Sequence, residues 1–437
     1  MQVIDKFHLM ETEERLFEMG EDVGMPYWDI VRYSVYVKYY YPENQRLRLN
    51  VAMRHSIRDF ASLIYNAIQF FYKIIVGRGE NVVITSSRSC DSSGKYFDRC
   101  AKPIIDVLSD DCIIFESVLR KKLAYSYLYD FSSIFRRFNK KKYFPEEYYS
   151  RISIALEKHF GKCCVTRKEL NEIYHVYQSD VTYYNLIFWF KKTKKIFIAD
   201  GNPKAVIKAA RIQNAKTFLI QHAGIEFDEV DYSYPKCISV KSNILFPENV
   251  LTFGDYWCKH INVPTDRVVC IGNADFAKKF DEKSDDSILV ISTIIHGDEL
   301  KILTKQLSLT NPKNKIIYKL HPNEFHFKDS YIEYFKTCKN VEIYTSEIDI
   351  SRLIGKCELV ILIVSAVLYE ALSQNKKVAI YKRINYERQN HLANLPNIYF
   401  IDDANDISKI FKANVVPYVY NFYCQLDSKK INSLIDD

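Results

Sequence analysis

The chain has 437 residues, of which 48% are hydrophobic and 26% charged, and it carries a formal net charge of +7. This composition is that of a folded globular protein, and the length suffices for two or three domains, so a disordered chain is excluded. The mildly basic balance permits an anionic partner such as a nucleotide or a membrane surface, whereas the sequence contains no recognised nucleic-acid motif, so we expect no nucleic-acid partner.

The first 80 residues carry apolar and aromatic residues at helical spacing and predict a mostly helical portion. Short apolar runs that predict strands follow at 81–86, 111–116, 195–200, 215–220 and 249–253. Helical patterning lies between them, at 97–108, from 120 to about 183, and at 204–214. Alternation of short apolar strands with helices predicts a parallel sheet that is covered on both faces.

A charged stretch, Lys278–Asp286, separates this block from a more regular second block. Its predicted strands lie at 287–292, 315–319, 341–344, 359–363 and 377–381. Predicted helices lie between them, at 299–307, 348–356 and 366–373. We therefore predict an α/β fold with two Rossmann-type, doubly wound domains that face a cleft.

The cellular context is read from the cysteines and from the apolar runs. Eleven scattered cysteines fit reduced thiols, and the N-terminus has no apolar segment like that of a signal peptide. No apolar run reaches 18 residues, so no membrane span is predicted. The nearest runs, Ala61–Val76 and Tyr183–Phe190, predict buried helices, with contact at a membrane interface as the alternative. The basic clusters Arg136–Lys142 and Lys191–Lys195 are interpreted as solvated helix ends or as a surface for anionic lipid.

Ligands of open parallel sheets bind beyond the carboxyl ends of the strands, so polar residues directly after strands are the candidates for a site. Lys319, His321 and Pro322 end one predicted strand. The imidazole of His321 can donate to a phosphate oxygen, or it can simply bond to nearby backbone. Ser292 and Thr293 begin a small polar loop that could hold a phosphate or a sugar, although it lacks the glycine patterns of dinucleotide and P-loop sites.

Two further candidates follow the strand at 359–363. Ser365 can cap the next helix, which would create an anion site at the helix N-terminus. Glu370 lies five residues later and could accept a hydrogen bond from a ribose hydroxyl. The alternative is a capping serine and a surface glutamate with no ligand.

The first block offers a candidate general base. His222 follows the strand at 215–220, where it is expected to face the cleft opposite His321, and an imidazole that titrates near neutral pH suits deprotonation of a hydroxyl. Asp200 ends the preceding strand and is the second candidate. An ordinary loop histidine is the alternative for His222.

The order of these motifs resembles that of the GT-B transferases of bacterial capsule, lipopolysaccharide and teichoic acid assembly. That group includes sialyl- and polysialyltransferases, Kdo transferases of capsule linkers and CDP-glycerol glycerophosphotransferases. The motifs that carry the resemblance are His222-Ala223-Gly224, Gly272-Asn273, Lys319-Leu320-His321-Pro322, and Ser365 ahead of Glu370-Ala371-Leu372. The chain departs from the group in having His-Ala-Gly for His-Gly and Ser365-Ala366 for a pair of serines.

The resemblance implies a division of the chain and a role for each candidate. Residues 1–272 would form an acceptor-binding α/β domain, 273–416 a donor-binding Rossmann-like domain, and 417–437 a segment that packs back on the first domain. His222 or Asp200 would be the catalytic base. The donor would be bound by His321, Pro322, Lys319, Ser365, Glu370, Ser292, Thr293 and Gly272.

The reaction implied is an inverting transfer of a CMP-activated sugar, of the sialic acid or Kdo type, to a hydroxyl of a glycan or lipid-linked glycan. No Asp-x-Asp motif follows a strand, so we expect no metal and no cofactor besides the nucleotide-sugar co-substrate. The expected location is cytoplasmic, with peripheral contact at the inner face of the cytoplasmic membrane left open. Alternatives are a UDP-sugar or CDP-polyol transferase of the same fold, or a catalytically inactive GT-B scaffold protein.

Overall fold

The structure, a computed structural model, covers the chain in segments. It describes residues 3–40, 66–72, 80–87, 89–90, 93–116, 123–199, 201, 203–222, 224–225, 229–236, 238, 243–280, 285–383, 386–418 and 421–436. The candidate base Asp200 lies outside these residues. Contacts divide the chain into two compact units: the first comprises Met1–Thr252, His260–Val269 and Ser428–Asp437, and the second Phe253–Lys259 and Cys270–Asp427.

The first unit is built on a seven-stranded sheet. Its strands and those of a small hairpin are β1 (Asn81–Thr85), β2 (Ser89–Cys90), β3 (Tyr96–Phe97), β4 (Cys112–Glu116), β5 (Leu128–Tyr129), β6 (Lys195–Ile198), β7 (Lys216–Ile220), β8 (Asn249–Thr252) and β9 (Arg267–Cys270). The sheet order is β5-β4-β1-β6-β7-β8-β9, and the pairs from β5 to β8 are parallel. The central strands are buried apolar runs, as helices on both faces of a parallel sheet require.

Helices make up most of the remaining described residues of this unit. They are α1 (Val3–Glu13), α2 (Tyr27–Tyr40), α3 (Lys102–Leu108), α4 (Ser132–Phe135), α5 (Glu146–Phe160), α6 (Arg167–Lys191) and α7 (Lys204–Ile212). The longest, α6, begins with a capping box in which Thr166 and Glu169 satisfy each other's backbone amides. It packs lengthwise against α7, which covers the sheet.

A buried ion pair fastens the N-terminal helices to the rest of the unit. Arg32 on α2 and Glu11 on α1 are 2% and 1% exposed, and the guanidinium contacts the carboxylate through Nε and Nη2. The same guanidinium donates to the carbonyls of Val230 and Ser233. Burial alone would lower the pKa of Arg32, but the Glu11 carboxylate outweighs it and raises that pKa. Both charges are therefore compensated, which buried ions require.

The second unit is built on a six-stranded parallel sheet. Its strands are β10 (Asp285–Ile291), β11 (Ile316–Lys319), β12 (Val341–Tyr344), β13 (Cys357–Leu362), β14 (Lys377–Tyr381) and β15 (Ile398–Ile401). Its helices are α8 (Asp255–His260), α9 (Gly297–Thr310), α10 (Lys328–Phe335), α11 (Ile350–Lys356), α12 (Val367–Ser373) and α13 (Ile407–Lys412). The strand order is β12-β11-β10-β13-β14-β15, and all the pairs are parallel.

The C-terminal segment of the second unit runs between two glycine-containing stretches. The amide of Cys424 donates to Phe253 O (2.7 Å), and the amide of Asn273 donates to Cys424 O (2.9 Å). A Cβ on Gly254 would lie 2.2 Å from Phe422 O, and one on Gly272 would lie 2.0 Å from Gln425 O. Only glycine therefore allows the backbone of this segment to approach so closely. Beyond it, α14 (Ser428–Asp436) belongs to the first unit.

The predicted α/β fold with two doubly wound, Rossmann-like sheets is confirmed. All ten predicted strands agree with the observed ones within two residues, whereas β2, β3, β5, β9 and β15 were not predicted. The helix predicted at 97–108 begins only at Lys102, because β3 occupies its first residues and the Asp98 carboxylate accepts from the amides of Cys100 and Ala101. In the part of the chain that the structure describes, no helix combines the length and apolar character that crossing a bilayer needs.

Candidate functional site

The second sheet reverses its strand order between β10 and β13. The chain runs outward from β10 through β11 to β12, and then returns to β13 on the other side of β10. Such a switch point leaves a crevice at the carboxyl ends of the two strands, where ligands of this fold bind. Ser292 follows β10 directly, and Ser365 lies three residues after β13. The two serines therefore flank the switch point.

His321 lies at the same edge, two residues after the end of β11. Its Nδ1 accepts a hydrogen bond from the amide of Asn323 (3.2 Å), and its own amide donates to Glu324 Oε2 (3.1 Å). Together these bonds form a capping box for the 3₁₀ turn Pro322–Phe327. Because Nδ1 is an acceptor, a neutral ring carries its proton on Nε2. Burial lowers the pKa of His321 against the opposing effect of Glu324, which favours the neutral ring with its one N–H donor.

A buried polar cluster joins the loops after β10 and β11. Glu324 is 4% exposed and accepts from the hydroxyl of Tyr331 (2.6 Å). The hydroxyl of Tyr318 donates to Ser292 Oγ (3.2 Å). A Cβ on Gly297 would lie 3.0 Å from both Glu324 Oε1 and Tyr331 Oη, so the turn into α9 fits tightly against this cluster. Ser292 is thus held by this cluster and is only 1% exposed. Its Oγ already accepts one hydrogen bond, from the hydroxyl of Tyr318.

Cationic side chains lie at the same edge. Lys319 is the last residue of β11, and its Nζ lies 5.6 Å from the centre of the Phe325 ring. Burial lowers the pKa of Lys319, while Glu347 and Asp349 act in the opposite direction. Arg383 follows β14 by two residues and stacks on Tyr381, at 4.0 Å from its ring centre. Sequence reasoning missed Arg383, although the same search after strand ends would have found it.

His296 is a second residue that sequence reasoning did not select. It is the N-cap of α9, is 4% exposed, and makes no side-chain bond to the helix. Among the described residues, its buried Nδ1 has no hydrogen-bond partner, and burial lowers the pKa of the ring. Two carboxylates, Asp298 and Glu299, lie in the first turn and already complement the helix dipole, so an anion is better placed beside Lys319 and His321 than at this N-terminus.

The structure places Ser365 and Glu370 differently from their predicted settings. The N-cap of α12 is Ala366, and Ser365 lies one residue before it, where its Oγ accepts from the amide of Val367 (3.3 Å). Glu370 is 6% exposed and accepts from the hydroxyl of Ser351 on α11 (2.9 Å). The alternative of a surface glutamate is therefore wrong. Contact of Glu370 with a ribose stays a prediction.

The remaining donor-site candidates are Thr293, Pro322 and Gly272. Thr293 is half-buried, and its Oγ1 accepts from the amide of His296 (3.3 Å), so it shapes the loop at the switch point. Pro322 is exposed at the start of the 3₁₀ turn beside His321. Gly272 has a φ of +74° and lies against the backbone of Cys424 and Gln425, which gives this glycine a packing role; a donor contact there stays a prediction.

In the first unit, His222 lies two residues after β7 and is half-buried. Its Nδ1 lies 3.1 Å from the carbonyl oxygen of Ala199, the residue after β6. A carbonyl can only accept, so Nδ1 carries the proton and, in the neutral ring, Nε2 holds a lone pair. This is the tautomer that a general base acting through Nε2 needs.

Carboxylates and a histidine that could hold a metal ion lie close together in the first unit. In the described residues, one group brings three ligand atoms within 4.8 Å of one another: Glu13, Glu14 and His159. It lies on α1, on the residue after it and on α5, and Glu14 already accepts from Lys158 and contacts His159. This group does not include any of the candidate residues that follow the strands of the two sheets. Independence of the reaction from metal stays a prediction.

One family model matches part of the second unit in sequence. Residues 283–397 match the family model described as capsule polysaccharide biosynthesis protein. The matched segment contains Ser292, Lys319, His321, Ser365 and Glu370. The match supports the resemblance to surface-polysaccharide proteins, while the sialyl, Kdo and glycerophosphate branches stay predictions. No curated protein matches the chain in sequence.

Several solved structures have a similar chain course. UDP-GlcNAc 2-epimerase from Methanocaldococcus jannaschii is 12% identical, covers 82% of this chain and 99% of its own, and has a TM-score of 0.47. The enzyme of the same name from Neisseria meningitidis, bound to UDP-GlcNAc, is 12% identical, with 82% and 100% covered and a TM-score of 0.43. A glycosyltransferase from Rickettsia africae ESF-5 is 13% identical, with 76% and 88% covered and a TM-score of 0.41. The fold assignment rests on the strand order given above and not on these similarities.

Proposed function

We propose that this chain is a glycosyltransferase of bacterial surface-polysaccharide synthesis whose second unit binds the nucleotide-sugar donor. The observation that carries the proposal is that Ser292, His321 and Ser365 follow three neighbouring strands, β10, β11 and β13, at the switch point of a parallel sheet. Neighbouring strands are about 4.8 Å apart, so these side chains lie within the span of one nucleotide diphosphate or monophosphate ester. The same segment matches the capsule polysaccharide biosynthesis family.

In this proposal the leaving phosphate lies over the end of β11. The N–H of His321 at Nε2 donates to a phosphate oxygen, and the ammonium of Lys319 stabilises the charge that develops as the glycosidic bond to phosphate breaks. The capping box holds the His321 ring in one orientation before the donor binds, so no reorganisation is needed during the reaction. Ser365 and the loop at Ser292 and Thr293 contact the sugar or the nucleoside.

In this proposal His222 is the base. Nε2 of His222 takes the proton of the acceptor hydroxyl while that oxygen attacks the anomeric carbon, and Ala199 stabilises the imidazolium through Nδ1–H. A single displacement of this kind inverts the anomeric centre. The acceptor is a glycan or a lipid-linked glycan, and the donor is a CMP-activated acidic sugar of the sialic acid or Kdo type, as the resemblance implies.

A nucleotide screen tests this proposal. The thermal unfolding of the full chain is measured with CMP, CDP, UDP and GDP and with their sugar derivatives. A ligand at about 100 times its dissociation constant adds roughly 2.7 kcal/mol to the stability of the folded state. We expect stabilisation by cytidine nucleotides, and release of CMP when donor and glycan are supplied together.

The alternatives give different outcomes in the same screen. Stabilisation by UDP and not by CMP would indicate a UDP-sugar transferase, and stabilisation by CDP and not by CMP would indicate a CDP-polyol transferase. Nucleotide binding without transfer would indicate an inactive scaffold. The loss of activity would then be explained in part by the departures Ser365-Ala366 and His222-Ala223-Gly224. Absence of any nucleotide effect would overturn the proposal as a whole.

A further inference from the structure

The C-terminal end of α6 exposes large apolar side chains. Trp189 is 65% exposed, Phe190 52% and Leu186 52%. The opposite face of the same turns is buried, since Ile187 and Phe188 are 6% and 0% exposed and face the core. This end of the helix is therefore apolar on two faces, one towards the core and one towards solvent, and core packing does not account for the second face.

Lysines lie next to these side chains in the chain. Lys191, Lys192 and Lys194 follow directly in the chain, and burial lowers the pKa of Lys191. Lys194 forms an ion pair with Glu80 in which both side chains are more than half exposed (66% and 56%), so solvent screens it strongly. Among the described residues named here, three ammonium groups face one carboxylate, so their summed charge is positive.

The aromatic and basic residues share one surface groove. A groove of about 580 Å³ is lined by Trp189, Phe190, Lys192 and Lys194 together with Gln213 and Asn214 at the end of α7. Gln213 Nε2 donates to Asn185 Oδ1 (2.7 Å), which ties the ends of α6 and α7 together beneath the groove. The end of α6 that carries these side chains is thus anchored to the end of α7. We call this surface, defined by Leu186, Trp189, Phe190, Lys191, Lys192 and Lys194, the α6 patch.

We propose that the α6 patch docks the protein on an anionic lipid bilayer. Tryptophan and phenylalanine are amphipathic or apolar rings that partition to the headgroup boundary, and lysines extend their charges to anionic headgroups while their stems cover apolar surface. Charge complementarity selects this occupant, because Lys192 and Lys194 line the same groove as Trp189 and Phe190 and match anionic headgroups in charge. The proposal does not depend on the reaction assigned to the second unit.

The chain contains its own probe for this docking. Of its three tryptophans, Trp28 and Trp257 are each 1% exposed. A change in tryptophan emission that depends on contact with solvent or lipid therefore comes mainly from Trp189. The full chain is mixed with vesicles of phosphatidylcholine alone or of phosphatidylcholine with phosphatidylglycerol. We expect a blue shift of the emission and protection from aqueous quenchers with the anionic vesicles, weakening as salt is added.

Two variants test the patch itself. The triple variant Lys191→Gln, Lys192→Gln, Lys194→Gln should lower the partition coefficient on anionic vesicles by roughly 100-fold, since each lysine near such a surface contributes about fivefold. Co-sedimentation measures this directly. Phe190→Ala should lower binding while Trp189 is kept as the probe. Both variants change exposed or half-exposed side chains, so their thermal unfolding should match that of the parent chain.

Matched controls come from the other basic cluster. Lys140→Gln, Lys141→Gln, Lys142→Gln removes the same charge, and Phe138→Ala removes an aromatic side chain that is 84% exposed. Both controls should bind vesicles almost as well as the parent chain. The proposal is overturned if a control weakens binding as much as its partner variant, or if anionic vesicles leave the Trp189 emission unchanged. It is also overturned if Trp189 becomes protected without lipid as the protein concentration rises, which would assign the patch to a second copy of the chain.

Discussion

Substituting His321 by asparagine and, separately, by glutamine separates its two functions. In the structure Nδ1 accepts from the amide of Asn323 (3.2 Å), and the neutral ring leaves its proton on Nε2 for the donor phosphate. The Oδ1 of asparagine can occupy the place of Nδ1 and keep the cap, but asparagine has no atom at the position of Nε2. Glutamine extends its amide N–H₂ to that position and loses the cap.

The magnitudes follow from these two contacts. One preorganised donor to charge that develops in the transition state contributes about 2.7–4 kcal/mol, which corresponds to a loss of about 10²–10³ in kcat. His321→Asn should therefore lose that much turnover with its stability nearly unchanged, because asparagine is a favoured N-cap. His321→Gln should keep much more turnover but lose about 1 kcal/mol of stability, or roughly 2–4 °C in Tm for a domain of this size.

Initial rates of nucleotide release, with the donor concentration varied, give kcat and KM for each variant, and thermal unfolding gives the stability. His321→Ala, which loses both contacts, is the reference and should show the larger defect in each measurement. A His321→Asn enzyme with near-normal kcat would refute the donor role of Nε2 and leave His321 as a structural cap. Equal losses of kcat in the asparagine and glutamine variants would show that the N–H donor at Nε2 does not by itself determine the rate.

Three further predictions test other parts of the structure. His222→Ala should lower turnover by about 10²–10⁴-fold while nucleotide binding persists, and activity should survive EDTA; normal turnover, or a loss on chelation that Mg²⁺ restores, would contradict the proposed base and the expected independence from metal. Gly272→Ala should lower the free energy of unfolding by about 2–5 kcal/mol, because its Cβ would lie 2.0 Å from Gln425 O at a φ of +74°. The control Gly161→Ala, at a φ of +76° with nothing within 4 Å, should lose only about 1–2 kcal/mol, and an equal effect of the two would remove the clash as the cause. The third prediction concerns pH: burial holds three histidine pKa values below the usual 6.5, those of His8, His296 and His321. The unfolded chain then binds more protons, so stability is complete above about pH 6.5 and falls as pH drops from there towards the folded pKa values; denaturant midpoints that rise on acidification through this window would contradict the burial of these rings.

The two sheets could be predicted because their strands are buried on both faces. Such strands are continuous apolar runs in any context, as at 359–363, where the observed strand is Cys357–Leu362. The strands that were not predicted are short or lie at a sheet edge, such as β5, β9 and β15. Their residues are only partly covered, so the local pattern is too weak to distinguish them from loops.

The candidate site could be predicted in outline for a topological reason. The carboxyl ends of parallel strands lie at one edge of a sheet, so His321, Ser292 and Ser365 share that edge whatever their individual contacts. The contacts themselves depend on distant parts of the chain. Glu370 is buried because Ser351 on α11 bonds to it, and Gly272 is required because Gln425 packs against it. No local pattern contains these partners.

The tautomers of the two histidines show the same division most directly. The sequence alone determined that His222 and His321 follow strands, because apolar runs end there. Only the tertiary structure decided that Nδ1 of His321 accepts from Asn323 while Nδ1 of His222 donates to the carbonyl of Ala199, directly after the neighbouring strand β6. Likewise, the run Tyr183–Phe190 predicted a buried helix, yet the core and α7 cover only one side of α6 and leave Trp189 and Phe190 exposed. Helical spacing determines which side chains share a face, but whether that face meets protein or solvent depends on elements that are distant in the sequence.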